Sequence, residues 1–315
     1  MIAILADLLA DFSLRLPTLE VRPKDLHRVS YLEVGPGGAC NAAIATARFG
    51  LAVAAFGEVG DDRFGRIVAE GLKREGVEIE HLVASPGART PVATVLVDER
   101  GEPAYLGYPG TLRIKRLPQA WRARIATAAA LYCDGWAEHE GVPDLVLAGL
   151  KSARAAGVAT FFDPGPGHPH VDNGWHVEAA SFATVLLVNE QEAARLSGRT
   201  DPVEAGQALL ENGSGLVIVK RGAAGCLLLR PGEMEIAPGF PVGAVDTTGA
   251  GDSLAGAVIY GVLKGLRLDA LGVLANAAGA AKVVKLGTGH NVPTLEEVRG
   301  MLARFGFQSE AFGLD

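Results

Sequence analysis

Residues 246–263 read DTTGAGDSLAGAVIYGVL, and the fold of the chain turns on how they are taken. The run passes from a strand end through Gly249-Ala250-Gly251 into a helix that starts near Asp252. Glycines let consecutive backbone N–H groups converge, and a helix N-terminus adds a partial positive charge. Together they form a hole for an anion, such as a phosphoryl group in transfer. Asp252 stands at the same mouth, where a carboxylate can take the proton of an attacking hydroxyl. Read alone, a Gly-rich turn of this kind is first a tight strand-to-helix turn with Asp252 as helix N-cap.

The segments around it predict an α/β fold. Ile2 to Leu5 is an apolar run of the kind buried on both faces of a parallel sheet. A small-residue helix follows from Asn41 to Gly50, then the strand LAVAAFG, then a helix with apolar Phe64, Ile67, Val68 and Leu72 capped by Asp61 or Asp62. ALYCDG, ATFFDPG, TVLLVN, GLVIVKRG and CLLLR read as further strands, with helices at LVLAGLKSARAAG and EQEAARLSG. The last helices are placed at about 250–264, 270–285 and 294–305. This alternation predicts one domain over residues 1–315, a doubly wound, mostly parallel sheet flanked by helices. Two stretches depart from it: 13–34, short apolar runs among charges, and 91–110, a hairpin turning at Arg100-Gly101. They predict a small antiparallel β lid.

Composition narrows the function. With 49% hydrophobic and 21% charged residues, the 315-residue chain has the balance of a soluble protein with a large core. A formal charge of −7 and no run of Lys or Arg argue against nucleic acid as a partner. Cys40, Cys133 and Cys226 are scattered singly, without disulfide or metal spacing. Asp7 and Asp11 interrupt the first apolar run, which excludes a signal peptide, and no stretch is long enough for a membrane helix. The expectation is a cytoplasmic protein. No P-loop motif is present.

Several motifs together resemble the ribokinase-like (PfkB) carbohydrate kinase family. DTTGAGD looks like that family's second signature, by which Asp252 is the catalytic base and Gly249, Ala250 and Gly251 form the anion hole. PGGACNAAIATARFG, residues 36–50, looks like its first signature, which implies substrate contacts from Gly37, Gly38 and Asn41; alone, Asn41 reads as a helix cap. Ala39 and Cys40 stand where ribokinases and phosphosugar kinases carry a Lys-bearing insert, which favours an unphosphorylated acceptor. Asp11, just past the first strand, matches the family's substrate aspartate, although Ala6 replaces a common glycine.

Asn189-Glu190-Gln191-Glu192 looks like the family's N-x-x-E motif, implying magnesium organised through water by Glu192; it also has the form of a capping box. GEVGDDRFG (57–65), FFDPG (161–165) and VKRGAAG (219–225) extend the resemblance over nearly the whole chain. In the last of these Lys220, Arg221, Gly222 and Gly225 stand where relatives line the nucleotide, and Asn276 where they border adenine. Gly165 replaces the usual Asn, so no role passes to FFDPG. Asp246 and Thr248 match positions that often bind a monovalent cation, potassium by that resemblance.

The resemblance implies transfer of the ATP γ-phosphoryl group to a hydroxyl of a sugar-like substrate, with Mg²⁺ on the phosphates and the lid excluding water. Exposed lid edges imply a homodimer. Nucleoside kinases on the same scaffold are the rival within the enzyme class, and a non-catalytic sugar or nucleotide sensor the rival outside it. His168, His170 and His176 near Asp163 and Asp172 read as a solvated loop rather than a zinc site. Trp121, Trp136 and Trp175 read as packing or rim residues.

Overall fold

The computed structural model describes residues 1–136, 142–166 and 173–314. In chain order its strands are β1 (Ile2–Leu5), β2 (Leu8–Arg15), β3 (Tyr31–Gly38), β4 (Val53–Gly60), β5 (Leu82–Ser85), β6 (Val92–Val97), β7 (Pro103–Tyr108), β8 (Ala130–Asp134), β9 (Ala159–Asp163), β10 (Val185–Asn189), β11 (Leu216–Lys220), β12 (Cys226–Arg230) and β13 (Glu233–Ala237). The helices are α1 (Cys40–Arg48), α2 (Arg63–Arg74), α3 (Gln119–Ile125), α4 (Val142–Ala155), α5 (Asn173–Ser181), α6 (Glu190–Ser197), α7 (Pro202–Glu211), α8 (Ala250–Leu263), α9 (Leu268–Val283) and α10 (Leu295–Arg304).

Nine strands form one sheet in the order β13-β12-β11-β10-β9-β8-β1-β4-β5, parallel from β11 to β5 and antiparallel at the β12 and β13 edge. The chain builds outward from β1 toward β5, then returns to lay β8 on the other side of β1. Order therefore reverses between β1 and β8, the place where open α/β sheets hold ligands at their carboxyl ends. Both faces are covered, which is why these strands are continuously apolar: one core contains residues of α1, α8 and α9, the other residues of α3 to α7. α8 is buried almost all round, and small residues make that possible. A Cβ on Gly256 would lie 2.7 Å from that of Ala45 in α1, so the two helices meet almost backbone to backbone.

The second sheet has the order β3-β2-β6-β7; its outer pairs are antiparallel, and β2 meets β6 in parallel. It reaches further inward than the stretches 13–34 and 91–110, because β2 starts at Leu8 and carries Asp11 within it. Asp62 caps α2 by accepting from Gly65 N at 2.9 Å and also holds Thr90, which fixes the entry to β6. The hairpin between β6 and β7 turns at Gly101 and touches the main domain: Gly101 O accepts from both Thr247 N and Thr247 Oγ1 at 3.2 Å.

Three sequence expectations need correction. No strand precedes Gly249, since residues 241–249 are irregular and spend their backbone on the end of α9 instead. Val245 N and Asp246 N both donate to Val283 O, at 2.7 and 3.2 Å. His176 is not on a solvated loop but fully buried in α5, where burial and then the Arg195 charge pull its pKa down to about 4. His168, His170 and Asp172 lie outside the described residues. Asn41 does not cap α1; Ala39 occupies that position and the Asn41 side chain is used elsewhere. The three cysteines are free and buried, and among the described residues no helix is long and apolar enough to cross a membrane.

Candidate active site

A cavity of about 490 Å³ lies over the carboxyl ends of the central strands, between the two sheets. Adjacent strands deliver polar residues to it: Asp7 follows β1, Asp134, Asp163 and Lys220 end β8, β9 and β11, and β10 ends at Asn189 and leads into α6, whose Glu192 lines the cavity. Register aligns them, pairing Asp134 with Asp163 and Asn189 with Lys220. A larger surface groove of about 630 Å³ beside Arg15, Arg28 and Glu99 carries no such convergence.

Asp252 enters from above, in the first turn of α8. Gly249 precedes the helix in the left-handed conformation (φ 77°), which turns the chain into α8 with Gly249, Gly251 and Asp252 lining the cavity. Ala250 N donates weakly to Thr247 O at 3.2 Å. A Cβ on Gly251 would lie 3.7 Å from Lys220 Nζ, so that ammonium reaches the helix mouth. Lys220 Nζ is 2.5 Å from Asp163 Oδ2 and 3.9 Å from Glu192 Oε2. Burial works against its charge, but Asp163, Glu192 and Asp252 outweigh that and hold its pKa up. The Asp252 carboxyl is pushed up to about 7, first by burial and then by Asp163, with Lys220 opposing.

On the β2 side, Asp11 is buried and accepts from Thr288 Oγ1 at 2.8 Å. Burial raises its pKa to about 7, as it does that of Asp7 beside it. Gly37 is required by Asp11, because a Cβ there would fall 2.0 Å from the Asp11 carboxyl carbon. Gly38 is left-handed (φ 56°), and a Cβ there would meet Asp7 O at 2.5 Å. Asn41 Oδ1 accepts from Gly289 N at 2.8 Å. Its amide pulls the pKa of both Asp11 and Asp252 downward, against burial, so it stands between them.

Asn189 and Glu192 form a reciprocal capping box on α6, with bonds of 2.7 to 2.8 Å. Burial raises the Glu192 pKa while Lys220 opposes, and its carboxyl still lines the cavity. Gly225 shapes the β11–β12 turn, for a Cβ there would lie 2.1 Å from Ala237 O, while Gly222 (φ 55°) faces open space. Arg221 pairs with Glu190 at 3.0 Å. Asn276 is apart from the cavity; its amide donates to Ala237 O and Pro238 O at 2.9 and 3.0 Å. Asp246 is fully buried, taking Thr248 N and Gly287 N at 2.9 and 2.8 Å.

The structure thus gathers Asp252, Gly249, Gly251, Asp11, Gly38, Asn41, Lys220 and Glu192 around one space. Sequence reasoning missed Asp7, Asp134 and Asp163, together with Tyr105, whose ring meets that of Trp136, read as a packing or rim residue, edge to face at 5.6 Å over the cavity. A signal did exist for two of these, since ALYCDG and ATFFDPG each place an Asp where a parallel strand ends.

Comparison with known proteins agrees with this arrangement. The pfkB family carbohydrate kinase pattern matches residues 1–295. The mouse ribokinase is 32% identical over 273 residues, covering 82% of each chain. An ATP-dependent ribose-1-phosphate kinase from Halopiger xanaduensis is 31% identical over 293 residues, 93% of this chain and 95% of its own. The crystal structure of a putative ribokinase from Agrobacterium tumefaciens superposes with a TM-score of 0.84 over 96% of this chain and 97% of its own, at 24% identity, and so shares the fold. The chain belongs to the pfkB family of carbohydrate kinases, phosphotransferases with an alcohol group as acceptor.

Proposed function

We propose that this protein transfers the γ-phosphoryl group of ATP to a hydroxyl of an unphosphorylated sugar or sugar-like acceptor, with Asp252 as general base. The observation that carries this reading is the convergence of Asp252, the N-terminus of α8 and Lys220 on one cavity. A base with a pKa of about 7 is matched to proton transfer near neutral pH. The amides of Gly249, Ala250 and Gly251, at the positive end of a helix, stabilise charge developing on the transferred group. Lys220 and the turn at Gly222 and Gly225 receive the nucleotide phosphates. Asn276 acts at a distance, holding the 237–238 backbone along the nucleotide side.

Asp11, Asn41 and the Gly37-Gly38 backbone hold acceptor hydroxyls, and Asp7 and Asp134 widen that set. Asp134 is raised well above the carboxylate range by burial and by Asp7, so as a neutral acid it can both donate and accept. The mouse relative is named for ribose and the archaeal one for a phosphorylated ribose, so the names leave two acceptor classes. The lining favours the first. Among the described residues around the cavity the sole cation is Lys220, already paired with Asp163, whereas a sugar phosphate needs a cation of its own.

Glu192, with a cavity-facing carboxyl, fits a magnesium site reached through water, and the ion would neutralise phosphate charge there. The small sheet closes over the acceptor and excludes water. Two copies of the chain pair through that sheet.

The test is ADP release with Mg-ATP across sugars, sugar acids, phosphosugars and nucleosides, with Asp252→Asn as control. Turnover on unphosphorylated sugars that falls by about 10²- to 10⁴-fold in the variant is expected. Turnover that is best on a phosphosugar, or survives in Asp252→Asn, overturns the reading.

A further inference from the structure

Lys282 lies in the last turn of α9 and is among the largest fully buried side chains in the protein. A buried ammonium is costly unless something compensates its charge. Its surroundings supply part of that compensation. Nζ donates to Lys285 O at 3.1 Å, and the side chain runs beneath the anion-hole loop, where a Cβ on Gly249 would lie 3.5 Å from Lys282 Cε. Asp246, also fully buried, is the acidic group that acts on it most strongly. Burial lowers the Lys282 pKa; Asp246 opposes this, the Lys285 charge adds to it, Asp252 opposes it more weakly, and the net direction is down.

The two segments that frame Lys282 are stitched together. Val245 N and Asp246 N donate to Val283 O, and Gly287 N donates to Asp246 Oδ2. The remaining Asp246 oxygen takes Thr248 N, within the loop that leads into Gly249. Both carboxylate oxygens are thus bonded to backbone amides, and the Lys282 ammonium is held between the same two segments, at Lys285 O and under Gly249. Thr248 Oγ1 is buried here without a hydrogen-bond partner among the described residues, but a fixed ammonium between the 245–249 segment and the 283–287 turn puts positive charge where a further cation would lie.

We propose that Lys282 is a built-in cation for the anion-hole loop: its ammonium takes the place of a monovalent ion beside Asp246, so the enzyme needs no potassium. Lys282 is a positioning residue. It touches neither ATP nor acceptor, and acts by neutralising Asp246 and holding the Thr247–Gly249 backbone so that the α8 amides point at the transferred group. This rests on the kinase reading above, so the test has one arm that does not need turnover.

That arm is thermal melting without substrate, in potassium chloride against equimolar N-methylglucamine chloride. The wild-type melting temperature is expected to be the same in both, while Lys282→Met is destabilised and regains stability in potassium. The second arm is steady-state ADP release in the same buffers. Wild-type kcat is expected to be unchanged by potassium. Lys282→Met should lose about ten- to a hundredfold in kcat without potassium and recover in potassium or ammonium chloride, with the acceptor KM little changed.

A wild-type protein stabilised or activated by potassium overturns the proposal. So does a folded Lys282→Met protein that shows no potassium response, because a merely structural lysine would not be replaced by a soluble ion. Lys282→Gln, closer in shape and polarity, gives the same reading if the Met variant does not fold. If wild-type turnover is absent on every acceptor while the melting arm behaves as expected, the kinase reading has failed and the cation site has not.

Discussion

Asp252 shares its cavity with other carboxyls that burial has also pushed toward neutrality, and this sets how the protein answers to pH. In the proposed role of base Asp252 acts only when deprotonated, so kcat/KM should fall about tenfold per pH unit below about 7 and level off above it. Stability runs the other way. The folded state holds the Asp252 proton up to about 7, whereas the unfolded chain releases it near 3.8. Between those values the folded state binds more protons, so its stability falls as pH rises through that window. Asp252→Asn removes the charge and should raise the unfolding free energy by on the order of 2 kcal/mol at about pH 8, while abolishing turnover. The gap should close as pH falls toward about 4. Denaturant unfolding of both proteins at several pH values checks this; a variant less stable than wild type at high pH would show that Asp252 is stabilising in the fold.

α6 and α10 begin with the same device and differ in what it serves. Asn189–Glu192 and Thr294–Glu297 are both reciprocal capping boxes, but only the first opens on the cavity. Asn189→Ala and Thr294→Ala should each cost about 1 kcal/mol of stability. The first should also raise the KM for Mg-ATP by about tenfold, since it frees the Glu192 carboxyl to move, and the second should leave kinetics unchanged. Equal kinetics for both would make Asn189 a cap and nothing more. Both boxes follow from local chemistry, which is why S/T/D/N-x-x-E spacing exposed the Asn189 box in the sequence. The helices α3, α5 and α7 and the edge strands β5 and β13 were not read from sequence. α5 is a case in point: it has almost no amphipathic pattern, and its buried His176 sits where a stripe of apolar residues would have given a signal.

At the scale of the whole molecule, the small sheet is anchored at its tip and open at its edge. Gly101 rests on Thr247, two residues from Gly249, so the sheet touches the loop of the proposed anion hole. β7 is an edge strand with Leu106 and Tyr108 exposed, and Leu32 on the opposite edge is exposed too. An apolar, unpaired edge of this kind calls for a partner. A dimer is expected at micromolar concentration in sedimentation velocity, and Leu106→Lys should shift it to monomer without unfolding it. Monomer only, in the wild-type protein, would remove the dimer.

The sequence by itself determined the α/β rhythm, because buried parallel strands and glycine-ended helices write their periods into neighbouring residues. It also placed Asp252 at a glycine-rich helix mouth and, through a family resemblance, named Asp11, Asn41, Lys220 and Glu192. Only the tertiary structure decided that Asp7, Asp134 and Asp163 face the same cavity, since adjacency across strands depends on sheet order and register. It also decided that Asp246 meets Gly287 N and the end of α9 rather than a ladder partner. Residues tens of positions apart in the chain become neighbours only once α9 has packed beside α8, and no local pattern encodes that distance.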